Sequence, residues 1–322
     1  MDIAATTGPA VVRDAGELVA ALGLPPALRE PARRAARSFG LLVPRSFLAR
    51  MRPGDPSDPL LRQVLPAAEE ELSGGVLDPV GDLAATAAPG MIRKYAGRAL
   101  LVASPACAVH CRYCFRRHYP YAAAPRASRP GSAALRRIAE DPSIEEVILS
   151  GGDPLALDDE ELSDLIGALE AIPHLRRLRI HTRFPIVVPE RATGALARRL
   201  REGRLSPIVV VHANHPAEIA GDCAEALRSL VRSGIPTLNQ SVLLRGVNDD
   251  PDALAELSLR LVGLGVLPYY LHQLDPVSGA MHFEVPVARG LEIVAELRAR
   301  LPGYAVPRYV REVRGAQSKV PL

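Results

Sequence analysis

From residue 98 onward, short aliphatic runs alternate with stretches of helical spacing. Ala99–Ala103, Glu146–Ser150, Leu178–Thr182, Pro207–His212, Pro236–Gln240 and Leu267–Leu271 are each five or six residues long. Their length and their Val, Ile and Leu content predict strands. The intervening segments Ser132–Asp141, Asp158–Ala171, Pro189–Arg201 and Pro216–Ser233 predict helices, as do the residues after Asn248-Asp-Asp-Pro251 and Pro286–Leu301. Six βα units in series predict an α/β fold whose parallel sheet curls into a partial (β/α)6 barrel.

Residues 1–90 lack that alternation. Asp14 is placed to cap a short helix, Leu28 to Phe39 reads as a second helix with arginines on its outer face, and Ser46–Met51 as a third. Pro53, Pro56 and Pro59 then break the chain. The division expected is an N-terminal helical cap at 1–90, a partial barrel at 91–305 and a C-terminal segment at 306–322. The loop at 119–127 offers nothing to single out.

Composition narrows the class. The chain has 322 residues, 48% hydrophobic and 4% aromatic with no Trp, so aliphatic packing forms the core. A net charge of +3 spread along the chain points to neither nucleic acid nor membrane. No basic start followed by an apolar run marks a signal peptide, and no apolar stretch is long enough to span a bilayer. Four cysteines, three of them close together, make no disulfide framework, so a reducing, cytoplasmic setting is expected.

Those three cysteines follow the first strand in Cys107-Ala-Val-His-Cys111-Arg-Tyr-Cys114. Three thiolates on one loop suit an iron–sulfur cluster or zinc. A structural zinc needs a fourth ligand, and neither His110 nor His118 has a partner at zinc-site spacing. Three ligands on a four-iron cluster leave one iron open for chemistry.

In parallel βα sheets the binding site lies at the carboxyl ends of the strands. Ser150-Gly151-Gly152-Asp153, His212, Gln240 and Asp275 fall there with the Cys loop. Ser150–Asp153 reads either as a site where a ligand approaches the backbone or as a tight turn with an Asp helix cap. Lys94, Arg98, Arg112, Arg116 and Arg117 crowd the Cys loop, as an anion site or a solvated basic face; spacing does not decide. Lys319, near the C-terminus, reads by position as a surface lysine. Cys223, among Ala and Leu, reads as an inert buried thiol.

The Cys spacing, with Tyr113 before the last Cys, resembles the radical S-adenosylmethionine (SAM) signature. Further stretches narrow the likeness: Leu42-Val-Pro-Arg-Ser-Phe, Asp58-Pro-Leu-Leu-Arg-Gln-Val-Leu, Cys111-Arg-Tyr-Cys-Phe-Arg-Arg-His-Tyr-Pro-Tyr, Ser150-Gly-Gly-Asp-Pro-Leu, Leu238-Asn-Gln-Ser-Val-Leu-Leu-Arg-Gly-Val-Asn-Asp, Pro268-Tyr-Tyr-Leu-His-Gln-Leu-Asp and Ser318-Lys319. Together they resemble the lysine 2,3-aminomutase family, nearest its branch serving β-lysylation of elongation factor P.

The resemblance implies a radical SAM barrel holding a [4Fe–4S] cluster on Cys107, Cys111 and Cys114, with SAM on its open iron. It implies pyridoxal 5′-phosphate (PLP) carried by Lys319. Ser150, Gly151, Gly152 and Asp153 match the SAM motif; Arg98, Arg112 and Lys94 match positions near the PLP phosphate. His212 and Gln240 match the walls near SAM and PLP. Arg116 matches the arginine for the substrate carboxylate, and Asp275 with Glu312 the acidic pair for the distal ammonium. The implied reaction converts L-lysine to (R)-β-lysine for elongation factor P. Alternatives are the same chemistry in catabolism or secondary metabolism, or on another amino acid, and a zinc-stabilised binding module. Implied partners are L-lysine, a flavodoxin- or ferredoxin-type electron donor and copies of the same chain. Where catabolic members carry a glycine-rich run before the lysine, this chain has Gly315-Ala-Gln-Ser.

Overall fold

Strands β5 (Arg98–Ser104), β6 (Glu146–Gly151), β7 (Arg177–Thr182), β8 (Ser206–His212), β9 (Thr237–Val242) and β10 (Leu267–His272) lie side by side in chain order, all parallel. These are the six expected strands, each within two residues of its expected bounds. The computed structural model describes residues 11–72, 74–121, 129 and 131–322, so most of the loop at 119–127 lies outside the described residues.

The sheet extends past the expected six on both sides. The hairpin β3 (Thr86–Ala88) and β4 (Met91–Ile92) adds antiparallel to β5. At the other edge β11 (Arg308–Arg311) adds parallel to β10, and β12 (Val320–Pro321) folds back antiparallel on β11. The result is one ten-stranded, mostly parallel sheet. The β3–β4 hairpin straddles residue 90, and β11–β12 joins the same sheet as β5–β10. Strands of two to four residues are too short to show the periodicity that reveals longer ones.

The helices that return the chain are α5 (Ala133–Ala139), α6 (Asp159–Glu170), α7 (Phe184–Val187), α8 (Gly194–Glu202), α9 (Gly221–Arg232), α10 (Pro251–Gly263) and α11 (Val287–Arg300). In α6, Leu162, Leu165, Ile166 and Leu169 form one buried face, and Asp158 caps the start by accepting from the Glu161 N–H. The expected helix Pro189–Arg201 is divided: a 3-10 turn covers Pro189–Arg191, and Thr193 caps a new start at Gly194. Pro216–Ser233 divides likewise before Gly221.

The N-terminal region carries α1 (Ala15–Ala21), capped by Asp14 as expected, α2 (Arg29–Ala36), α3 (Arg45–Leu48) and α4 (Pro59–Arg62), with a small pair β1 (Val11–Val12) and β2 (Val43–Pro44). Its apolar residues share one core with the sheet: Phe47, Leu60, Leu61 and Val64 pack in the same cluster as Leu101, Leu149 and Ile180. It also reaches the Cys loop through backbone bonds, from His110 N–H to the Leu42 carbonyl (2.9 Å) and from Arg112 N–H to the Gln63 carbonyl (2.9 Å).

Candidate active site

Strand periodicity selects what the site displays. Along β7, Leu178, Ile180 and Thr182 are buried while Arg179 and His181 face a central cavity. Register carries that face across the sheet: Ile148 stands opposite Arg179, His212 opposite Gln240, and Gln240 opposite Tyr270, and all of them line the cavity. The cavity measures about 690 Å³.

Cys107, Cys111 and Cys114 line its wall as free thiols. Burial raises the Cys107 thiol well above its usual range, and the other two thiols add to it. Cys114 is pushed up to about 11 by burial and by the charge of Cys111. For these thiols to ionise together on a buried wall, a cation would have to sit among them. Among the described residues no set of three His, Cys, Asp or Glu side chains closes on one metal ion.

The Ser150–Asp153 turn packs against the Cys loop. Gly151 has φ +120°, and a Cβ there would lie 2.7 Å from the Ser104 carbonyl oxygen. At Gly152 a Cβ would lie 2.3 Å from the Ala106 carbonyl oxygen. The missing side chains let the two loops touch, and Ser150, Gly151, Gly152 and Asp153 also line the cavity. Asp153 is buried and raised to about 6 by that burial, against hydrogen bonds from Arg183 N–H (2.7 Å), the Thr182 hydroxyl (2.7 Å) and Leu155 N–H (3.0 Å). It caps the turn and ties β6 to β7. The Ser150 hydroxyl accepts from Arg116 Nη1 at 3.2 Å.

The C-terminal hairpin brings Lys319 inward. Pairing of Val310 with Pro321 and Arg311 with Val320 fixes the register, and Leu322 packs against the core containing Tyr309 and Leu271. Lys319 therefore lines the same cavity as the three cysteines, instead of standing on the surface as its position in the chain suggested. Its Nζ lies 2.8 Å from Glu312 Oε2. Tyr95 donates to Glu312 Oε1 at 2.6 Å, and Lys94 Nζ lies 3.5 Å from the same oxygen. Burial would raise the Glu312 carboxyl, but Lys319, Tyr95 and Lys94 hold it below its ordinary value.

Asp275 also faces the cavity, and burial raises its carboxyl to about 7. Its side chain has no hydrogen bond or ion pair among the described residues, although Lys319, Glu312 and Lys94 are near enough to act on its charge. The Gly75–Val76 segment braces this loop: Val76 N–H donates to the Pro276 carbonyl at 2.8 Å.

Asp82 joins the basic residues. Its Oδ1 lies 2.6 Å from Lys94 Nζ, and its Oδ2 accepts from Arg116 Nε at 2.7 Å. Burial opposes both charges, yet the pairing leaves Asp82 below and Arg116 above its ordinary value. Lys94 is thus committed to Asp82, Glu312 and the Val80 carbonyl (2.8 Å). Arg98 lies over the Tyr95 ring, 4.8 Å from its centroid, on the cavity wall with no ion pair among the described residues.

Arg112 is a correction. It does not line the cavity; its guanidinium is fully buried against Glu70 (Nη2–Oε2 2.5 Å, Nε–Oε1 2.8 Å) and the Phe39 carbonyl (2.7 Å). Arg117 shares Glu70 at 2.7 Å. An arginine so committed is part of the core and is not available to a phosphate.

His181, His212 and His272 stand on the cavity wall, and burial lowers all three, His212 to about 3. They present neutral imidazoles. His212 Nε2 is 2.9 Å from the Tyr113 hydroxyl, Gln240 Nε2 is 3.5 Å from His181 Nδ1, and His181 Nε2 is buried without a partner. Clustered thiols, an unpaired arginine and an orphaned imidazole nitrogen fit a soft-metal cluster and polar organic cofactors.

Comparison with known proteins agrees. The profile of the Radical SAM superfamily matches residues 101–258. The L-lysine 2,3-aminomutase of Escherichia coli K12 is 46% identical over 315 residues, covering 97% of this chain and 92% of the relative. The chain belongs to the lysine 2,3-aminomutase family. The aminomutases of Haemophilus influenzae (44% identical, 96% of this chain, 92% of the relative) and Clostridium subterminale (36%, 89% and 69%) are similar to it as well. A radical SAM methyltransferase from Sphaerobacter thermophilus shares the fold, with TM-score 0.51, 22% identity and 68% of each chain covered. Membership in an aminomutase family of this type implies an isomerase using an iron–sulfur cluster, SAM and PLP. Among the described residues no helix is long and apolar enough to cross a membrane.

Asp82, Tyr95, Arg183, His181 and His272 are site residues that sequence reading passed over. Arg183 was within reach: it follows the carboxyl end of the third parallel strand, where the strand-end rule looks. Asp82 was not, because an aspartate in a Gly- and Pro-bearing loop looks like a turn residue.

Proposed function

We propose that this chain is an L-lysine 2,3-aminomutase. The observation that carries the reading is one cavity lined by Cys107, Cys111 and Cys114 and also by Arg116, Asp275, Glu312 and Lys319. When bound, the cofactors supply the radical that breaks an unactivated C–H bond and the aldehyde that carries the migrating nitrogen.

The residues of the chain bind and orient. Arg116, held by Asp82 and Ser150, keeps Nη2 without a protein partner among the described residues and takes the substrate carboxylate. Glu312 and Asp275 take the distal ammonium. A lysine held at both ends has its β-carbon fixed between them, and rate falls steeply when such placement is lost. Glutamate would bring a second carboxylate against Glu312 and Asp275, so the pair selects lysine. Lys319 would hold PLP through its amine, and Glu312, 2.8 Å away, stands beside that amine. Arg98, without an ion pair among the described residues, takes the PLP phosphate. Neutral histidines add polarity to the wall without charge.

The test is anaerobic incubation with L-lysine, SAM, PLP and dithionite, followed by chiral product analysis. β-Lysine is expected. Absence of β-lysine from protein holding four irons and PLP, or faster turnover of glutamate than lysine, overturns the reading.

A further inference from the structure

Arg183 holds a buried guanidinium against a cluster cysteine. Its Nη1 lies 2.7 Å from Cys111 Sγ. Its Nη2 donates to Gln63 Oε1 (2.7 Å) and Glu218 Oε2 (3.0 Å). Its own N–H donates to Asp153. The rings of Phe47 and Tyr113 lie 5.4 Å and 5.7 Å from its guanidinium carbon. Gln63 and Glu218 are fully buried and hydrogen-bonded to each other at 3.0 Å, so the fork cannot swing away. A buried positive charge needs one carboxylate partner; this one is also aimed at sulfur, with Nε left buried and unpaired.

We propose that Arg183 is a positioning residue that sets the reduction potential of the cluster through its N–H···S contact with Cys111. The inference rests on the cluster being held by the three cysteines. Adding an electron to an iron–sulfur cluster increases negative charge on its sulfurs. A fixed N–H donor and positive charge at one of those sulfurs stabilises the reduced form. Gln63, from the N-terminal region, anchors the fork, which couples the docking of that region to the ease of cluster reduction.

The experiment is a potentiometric titration of the reconstituted protein without SAM, followed by the EPR signal of the reduced cluster, for the parent, Arg183→Lys and Arg183→Gln. Iron and sulfide are assayed in each. Arg183→Gln is expected to show at least a tenfold lower reduced-to-oxidised ratio at a fixed applied potential, which for a one-electron couple is 59 mV. Arg183→Lys keeps the charge without the fork and is expected to fall between. Equal ratios in a variant with full iron content overturn the proposal, as does loss of iron from both variants while the fold survives. A parent protein that cannot hold four irons defeats the cluster assignment itself, a result distinct from an unmoved potential.

Discussion

Lys319 Nζ and Glu312 Oε2 stand 2.8 Å apart across the β11–β12 hairpin. The carboxylate proposed for the ammonium of a substrate lysine is paired in the structure with a lysine of the chain itself. With Lys319 engaged by PLP, Glu312 would be freed for the ammonium of a substrate lysine.

Lys319→Ala is expected to abolish turnover and to leave no PLP label fixed by borohydride at the C-terminal peptide. Glu312→Gln is expected to keep the label but raise KM for lysine. A hydrogen bond to a charged group contributes about 1.5–3 kcal/mol, so the rise should be roughly 10- to 100-fold. Steady-state kinetics with peptide mapping of the reduced protein separates the two effects.

Asp275, raised to about 7 by burial, must be ionised to hold an ammonium. Apparent affinity for lysine is expected to fall as pH drops below about 7, by up to tenfold per unit, and Asp275→Asn should flatten that dependence while raising KM. A raised folded-state pKa also means that the stability contributed by the protonated carboxyl is complete below its unfolded value, near 3.8, and is lost as pH rises through about 7. Asp275→Asn is accordingly expected to melt higher than the parent at pH 8 and close to it at pH 4.

Gly152→Ala places a methyl 2.3 Å from the Ala106 carbonyl oxygen, a backbone atom that cannot rotate away. Forced overpacking costs about 1–3 kcal/mol. The variant is expected to denature at lower urea concentration and to bind less iron, because the displaced strand carries the Cys loop.

Glu70→Ala leaves Arg112 and Arg117 buried without their carboxylate. Breaking a buried pair costs about 3–5 kcal/mol, so chemical denaturation should show a loss of that order.

The six central strands and the Cys loop were legible because each is announced by local pattern: an aliphatic run, a following helix, three cysteines within eight residues. Arg98 and Arg112 were both basic residues near that loop, and nothing local distinguished them. Tertiary packing did, by placing Glu70 and the Phe39 carbonyl against Arg112 and leaving Arg98 open to the cavity. The glycines of the Ser150–Asp153 turn were recognised as special in the sequence, but that their missing side chains admit the Cys loop backbone became visible only in the structure.

The sequence alone determined the parallel βα order, the thiol chemistry and the family likeness, since these depend on neighbours in the chain. Only the tertiary structure decided that Lys319 turns into the cavity, that Asp82 links Lys94 to Arg116, and that Arg183 meets Cys111. Each of those depends on partners brought together by tertiary packing, through contacts spanning from 7 residues (Lys319 with Glu312) to 72 (Arg183 with Cys111). A side chain's charge state and direction follow from what surrounds it, and that environment is made only when the sheet assembles.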